Sequence, residues 1–270
     1  MRILIIGDIV GRPGKHACSV FVPRYIRDKQ VDFVVANAEN AAAGSGLTPA
    51  MFSKLLHQGI DVCTMGDHIY KRLEIVQALE SSERIVKPAN LPPESAGREF
   101  TIVQSRGGVP VAVISLLGRT YMNTRSDCPY HAVDRVLEKI SSEVKIIIVD
   151  MHAETTSEKV ALGWYLDGRV TAVVGTHTHI PTADERILPR GTAYITDLGM
   201  TGPYDSVLGR DRDNVIRVLV SGMPYPYDVA RENVHMSGVL VEVDSTTGQA
   251  TRIERVWEHD VEAPSDRGPE

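Results

Sequence analysis

The chain is punctuated by short apolar, largely β-branched runs, each stopped by glycine or a polar residue: RILIIG (2–7), DFVVAN (32–37), DVCTMG (61–66), VAVISLLG (111–118), VKIIIVD (144–150) and VTAVVG (170–175). Runs this short fit strands buried on both faces, which have no solvated side and so need no polar alternation. Helical stretches lie between several of them, the alternation of an α/β protein. One helix is framed by its ends: Thr48 can cap it, Pro49 suits its first position and Gly59 stops it. Further helices are expected around 130–142, 156–166 and 211–220. Two segments read instead as hairpins: FTIVQ with VPVAVI around Gly107 and Gly108, and VLVEVD with ATRIERVW around Thr246 to Gly248. Such mixing argues against a purely parallel sheet. The expected architecture is α/β of the mixed α+β kind, a four-layer α/β/β/α sandwich of two mixed sheets flanked by helices. With no internal repeat and no linker-like stretch, residues 1–260 are expected to form a single domain and residues 261–270 a disordered tail.

A length of 270 residues with 43% hydrophobic composition supports a substantial core. The formal net charge of −6, without a Lys/Arg run, argues against a stable nucleic-acid complex; any phosphate chemistry needs a local positive centre. Cys18, Cys63 and Cys128 are odd in number, form no CxxC and lie in or beside apolar segments, as reduced thiols of a cytoplasmic protein do. The first apolar stretch, Ile3 to Ile6, is too short for a signal peptide, and no run reaches membrane-spanning length, so a cytoplasmic protein without a membrane partner is expected.

The residues that follow the apolar runs carry the chemistry. After the first comes Asp8; then Glu39 and Asn40, Asp67 and His68, His152, and finally His177 and His179 within GTHTH. Singly, each reads as a cap, a turn residue or an ordinary polar side chain. Five in succession, in a fold whose strand C-termini form the usual ligand rim, read as one site. If the last run stays extended, His177 and His179 point to the same side and converge on one point. Oxygen and nitrogen donors together suit borderline divalent ions such as Mn²⁺, Fe²⁺ and Zn²⁺, and eight candidates are too many for one ion with an open position. Two ions bridged by a carboxylate would use them.

In order and spacing, GD at 7–8, GDH at 66–68, His152 and GTHTH at 175–179 resemble the motifs of the calcineurin-like metallophosphoesterases. ENAAAGSGLT (39–48), HAETTSEK (152–159), GTHTHIPTAD (175–184) and TDLGMTGPYDSVLG (196–209) resemble more narrowly the YmdB-like branch, associated with 2′,3′-cyclic nucleotide phosphodiesterase activity. The resemblance implies the calcineurin-like fold and two transition-metal ions, Fe or Mn foremost and Zn as an option. It implies that Asp8, Glu39, Asn40 and His179 hold one ion, and that Glu39 bridges to a second held by Asp67, His152 and His177. His68 is then catalytic rather than metal-bound. Two positions depart from the pattern. Position 10 is Val, so the Asp-x-His of the wider superfamily is absent and Asn40 substitutes; position 67 is Asp where the family normally has Asn, which changes the charge around the second ion.

The loops AAAGSGLT (41–48) and GMTGPYDSVLG (199–209) combine glycines with hydroxyls, which makes Thr201 and Gly202 candidate substrate contacts through their backbone N–H groups. Residues 118–130 read as a long loop in which Arg119, Tyr121 and Arg125 are placed to meet a base or a phosphate. The resulting expectation is a dinuclear phosphodiesterase for a small phosphoester or cyclic nucleotide, with a homo-oligomer left open. The alternative is a regulatory or RNA-associated binding protein that keeps its metals and has lost turnover.

Overall fold

A computed structural model describes residues 1–259; the expected tail lies outside the described residues. The chain runs β1 (Arg2–Ile6), β2 (Asp8–Ile9), α1 (Gly11–Asp28), β3 (Phe33–Asn37), α2 (Pro49–His57), β4 (Val62–Thr64), α3 (Val76–Ser81), β5 (Ile85–Val86), β6 (Phe100–Gln104) and β7 (Pro110–Leu117). It continues with α4 (Pro129–Lys139), β8 (Ile146–His152), α5 (Thr156–Leu166), β9 (Ala172–Thr176), β10 (Arg186–Ile187), β11 (Ala193–Ile195), β12 (Met200–Pro203), α6 (Arg212–Ser221), β13 (Val234–Val243) and β14 (Ala250–Glu258). One sheet has the order β2-β12-β13-β1-β3-β4-β5, with β14 also on β13; the other has the order β10-β11-β9-β8-β7-β6. Both are mixed. In the first, β1, β3, β4 and β5 are parallel while β13 is antiparallel to β1; in the second, β7, β8, β9 and β11 are parallel between antiparallel edges β6 and β10.

The period-2 geometry of the strands sorts their residues into three apolar layers. Ile3 and Ile5 of β1 and Phe33 and Val35 of β3 face Val111, Val113, Ile146, Ile148, Ala172 and Val174 of the opposite sheet, forming the central layer. Leu4, Ile6, Val34 and Ala36 point the other way, against Ala17, Phe21, Phe52 and Leu55 of α1 and α2. On the far side, Ile147, Val149 and Met151 pack on Val133, Val136, Leu162 and Leu166 of α4 and α5. This is the expected four-layer sandwich.

The framed helix is α2: Thr48 Oγ1 accepts from Met51 N at 3.3 Å, and Gly59 turns the chain at φ 104°. α5 spans the expected residues, and α4 stops at Lys139, short of 142. Both hairpins form, as β6/β7 and β13/β14. The helix over 11–28 lacks the usual sequence signals of a helix start. That segment has no capping side chain, no acid in its first turn, and Pro13, Pro23, Gly11 and Gly14 within it. Its face Ala17, Cys18, Phe21, Val22 and Tyr25 is buried on the sheet, and Gly14 lets the helix approach so closely that a β-carbon there would lie 2.2 Å from the Thr201 carbonyl oxygen. Tertiary packing holds this helix against weak local preference.

A second correction concerns 199–209. Met200–Pro203 is not a loop but β12, wedged between β2 and β13. Thr201 is fully buried: its carbonyl accepts from Val10 N, and its hydroxyl donates to Ser237 O and accepts from Ser237 N. Gly202 pairs with His235 and lies against Val10. Neither residue is available to a substrate. Among the described residues no helix is long and apolar enough to cross a membrane.

The two-sheet core predicts an asymmetry in stability. Ile148→Ala, in the fully buried central layer, is expected to cost about 2–5 kcal/mol. Ile102→Ala on the more exposed edge strand β6 should cost under about 1 kcal/mol. Urea unfolding of the two variants beside the parent protein measures both.

Candidate metal centre

At one end of the central layer four strands exchange an apolar residue for a polar one while keeping the same inward parity. After Val35 comes Asn37, after Val62 comes Thr64, after Ile148 comes Asp150 and after Val174 comes Thr176. These four meet across the sheets: Asp150 Oδ2 accepts from Thr64 Oγ1 at 2.5 Å and from Asn37 Nδ2 at 3.2 Å, and Asp150 Oδ1 accepts from Thr176 Oγ1 at 2.7 Å. Asp150 is buried, which raises its pKa, and the nearby His152 and its hydroxyl partners only partly offset that. Two residues beyond it on the same face, His152 sets its Nδ1 2.8 Å from Thr176 Oγ1. With Thr176 donating to Asp150, its oxygen accepts the Nδ1 proton, and Nε2 of His152 is the nitrogen aimed at the residues above.

Those residues are the ones expected from the sequence. His152 Nε2 lies 3.0 Å from Glu39 Oε1, 3.1 Å from Asp67 Oδ1 and 3.0 Å from His177 Nδ1. Ligand atoms of Glu39, Asp67, His152 and His177 all fall within 4.8 Å of one another. Beside this group stands a second: Asn40 Nδ2 is 3.3 Å from Asp8 Oδ1, 3.3 Å from His179 Nε2 and 3.5 Å from Glu39 Oε1, and His179 Nε2 is 3.7 Å from Asp8 Oδ1. Glu39 belongs to both groups. Asn40 turns its Oδ1 to His68 Nδ1 at 2.7 Å; a half-turn of the amide would present oxygen to a cation instead. His68 stands outside both groups, its Nε2 3.9 Å from Asp67 and its side chain partly open to solvent.

Electrostatics shows what this cage selects. Burial opposes the protonated form of His152, yet the Glu39 and Asp67 carboxylates outweigh it and hold its pKa well above the ordinary imidazole range. Burial likewise opposes protonated His179, and Asp8 overcomes it. Burial would raise the pKa values of Asp8 and Asp67, but the imidazoles of His179 and His152 respectively hold them below the ordinary carboxylate range. The field at the centre favours positive charge. Mixed carboxylate, imidazole and amide donors with a carboxylate common to both groups fit borderline divalent metal ions.

Backbone shape delivers two of the histidines. The extended convergence of His177 and His179 on one point is not what the chain does. β9 ends at Thr176, and His177 and His179 take positive φ values of 94° and 65°. The turn sends them to different groups, His177 to Asp67 and His152, His179 to Asp8 and Asn40. Asp197 braces the turn from below: its Oδ2 accepts from Thr178 Oγ1 at 2.7 Å and from Lys159 Nζ at 2.6 Å, with both members of that ion pair buried. Gly66 and Gly175 make room. A β-carbon at Gly66 would lie 2.4 Å from His152, and one at Gly175 would lie 1.7 Å from the Thr196 carbonyl oxygen.

Arg119 and Tyr121 lie on the loop that leaves the rim next to His152, whose carbonyl accepts from Gly118 N at 2.9 Å. The Arg119 backbone N–H donates to Glu158, and the Tyr121 ring is 85% exposed at φ 61°. The sequence reading gave no role to Asn37, Thr64, Asp150, Thr176, Glu154, Lys159 or Asp197. Parity was the available signal for the first four, since each continues the inward face of an apolar run by two residues.

A sandwich of two mixed sheets with this acid, amide and imidazole cluster at its rim defines a metallophosphoesterase. The family model described as YmdB-like protein matches residues 4–256. A 2′,3′-cyclic-nucleotide 2′-phosphodiesterase of Bacillus subtilis is 44% identical over 260 residues, covering 96% of this chain and 98% of the relative. A putative phosphatase/phosphodiesterase of Mycoplasma genitalium is 33% identical over 269 residues, covering 95% and 92%. Among solved structures, a hypothetical protein from Thermus thermophilus superposes with a TM-score of 0.90 at 37% identity, covering 97% of this chain and all of that one. A novel phosphatase from Mycoplasma pneumoniae gives 0.89 at 31% identity, covering 96% and 93%. The chain belongs to the YmdB-like family of calcineurin-like metallophosphoesterases, and it is an enzyme of the phosphoesterase class.

Metal capture by this cage must displace protons, because His152 and His179 hold theirs more firmly than ordinary imidazoles do. Titrating Mn²⁺ into chelator-treated protein near neutral pH, in two buffers of different ionisation enthalpy, should show net proton release. The loaded protein should melt at a higher temperature than the chelated one, by linkage. Equal melting temperatures would remove the metal from the site.

Proposed function

We propose that the chain is a dinuclear phosphodiesterase for small phosphate diesters, 2′,3′-cyclic nucleotides foremost, with 3′,5′-cyclic nucleotides as weaker candidates. The observation that carries this reading is that Glu39 is shared by two donor groups while His68 stands beside both without joining either. The name of the Bacillus subtilis relative supports the substrate class. In this reading Asp8, Glu39, Asn40 and His179 hold one ion and Glu39, Asp67, His152 and His177 the other. Fe and Mn are the leading candidates. When bound, two such ions supply positive charge for the phosphoryl oxygens and a water acidic enough to be a nucleophile near neutral pH.

The protein's own part is to orient and to move a proton. With Asn40 turned so that its oxygen faces the ion, its Nδ2 would donate to His68 Nδ1, which would fix the ring and leave the proton on Nε2, from which it passes to the departing sugar oxygen. The His68 backbone N–H donates to Glu39 Oε2 at 2.9 Å, so the catalytic ring and the shared carboxylate are fixed to each other. Arg119 and Tyr121, exposed on the adjoining loop, are assigned to the base or the phosphate of the substrate.

Replacing His68 with Ala should leave metal content intact and lower turnover of 2′,3′-cAMP by about a hundredfold, the usual loss of a general acid. The loss should shrink for bis-p-nitrophenyl phosphate, whose leaving group needs little protonation. Equal losses on the two substrates would assign His68 an electrostatic role instead.

Asp67 adds a carboxylate where the resemblance to the family implies an amide. With two divalent ions bound, the three carboxylates Asp8, Glu39 and Asp67 would leave one net positive charge in the cage, where an amide at position 67 would leave two. At an effective dielectric of about 20, one unit charge about 5 Å from the phosphorus is worth roughly 3 kcal/mol before screening. Asp67 therefore holds its ion more firmly and attracts an anionic diester less, unless one ion is trivalent. Asp67→Asn is expected to raise kcat/KM severalfold with Mn²⁺ at equal occupancy. Side-by-side kinetics on the two forms check this, and an Asn form of equal or lower activity would contradict the charge argument.

A further inference from the structure

Each imidazole of the two donor groups turns one nitrogen to the cluster and has the other held from behind, and the three are held by different chemistry. His152 Nδ1 rests on the Thr176 hydroxyl, and His179 Nδ1 lies 3.1 Å from the Leu208 carbonyl. His177 meets a carboxylate: its Nε2 is 3.1 Å from Glu154 Oε2, while its Nδ1 faces His152 Nε2 at 3.0 Å and Asp67 Oδ1 at 3.5 Å. Glu154 lies on the short connection between β8 and α5, with its side chain half exposed.

Two features make this contact more than an incidental surface pair. A carboxylate at the mouth of a site that takes an anionic diester repels its substrate, so its charge is unfavourable there unless it serves the cluster. In addition, His177 lies past the end of β9 at φ 94°, where no strand pairing orients its ring. Its backbone N–H is tied to Asp8 Oδ2 at 3.1 Å, and Glu154 is the group that fixes the imidazole itself. A neutral imidazole donates from one nitrogen and ligates through the other, so an acceptor on Nε2 selects the Nε2–H tautomer and aims the Nδ1 lone pair into the cluster.

We propose that Glu154 is a positioning residue: by holding Nε2–H it sets the tautomer of His177 and strengthens the hold on the ion that His177 shares with Glu39, Asp67 and His152. This rests on the dinuclear reading above and adds to it that the two metal positions are unequal, one backed by a charged acceptor on His177 and the other by the neutral Leu208 carbonyl on His179.

The test compares the parent protein with Glu154→Gln and Glu154→Leu, each stripped of metal and titrated with Mn²⁺ alone by calorimetry. One of two equivalents should weaken, about tenfold in the Gln form and towards a hundredfold in the Leu form, the range expected for removing such an outer partner. The other equivalent should be unchanged. Gln is the partial rescue because its amide oxygen still accepts from Nε2–H without the charge. Urea midpoints of the metal-free forms should coincide, since the side chain is half exposed. Parent affinities for both equivalents in both variants, or equal weakening of both equivalents, would overturn the inference while leaving the dinuclear reading standing. A parent protein that binds no Mn²⁺ would overturn that reading, and this inference with it.

Discussion

The structure depends on two sheets pressed face to face along strands whose inner residues are apolar almost to their ends. Ile3, Phe33, Val35, Ile148 and Val174 fill the space between the sheets. Where that filling stops, Asn37 and Thr64 of one sheet donate to Asp150 of the other, and Thr176 donates to Asp150 from the neighbouring strand. A buried carboxylate is tolerated there because its oxygens are met by three donors. The donor groups for metal therefore stand on a floor continuous with the hydrophobic core. Ligands from strands far apart in sequence keep their spacing because the layer beneath them cannot shift without breaking either packing or hydrogen bonds.

Above this floor the site is assembled from turns, which need their own supports. The Lys159–Asp197 pair is buried, and a buried ion pair contributes little net stability compared with apolar packing. Its value here is geometric: it holds Thr178, the residue between two histidines that go to different donor groups. His177 and His179 adopt backbone conformations that non-glycine residues seldom take, and such conformations persist only where the surroundings fix them. The contacts of Asp197 below, and of Asp8 on the His177 backbone, supply that fixing.

The strands were legible in the sequence because burial on both faces writes itself as unbroken apolar runs, and the clustered acids and imidazoles were legible because each follows such a run. What lay hidden depended on distant partners. The helix of residues 11–28 carries Pro23 and two glycines and is made stable by the sheet it covers, so local preference argued against it. Thr201 and Gly202 have the composition of a loop, yet Asp8–Ile9 on one side and β13 on the other recruit them as a strand. The HxH spacing suggested one shared metal, and the left-handed turn after Thr176 divides the pair instead. Asp150 and Thr176 resemble ordinary strand-end polar residues until their parity with Ile148 and Val174 is noticed.

Gly66 and Gly175 bear on how such a site can change over time. Exchanging a carboxylate for an amide at a donor position of the cluster changes its charge at nearly constant shape. A side chain at Gly66 would enter the space of His152, and one at Gly175 would strike the backbone of the neighbouring strand. Substitution at the donors can thus alter charge without a change of shape, while the two positions that carry no side chain leave no room for one.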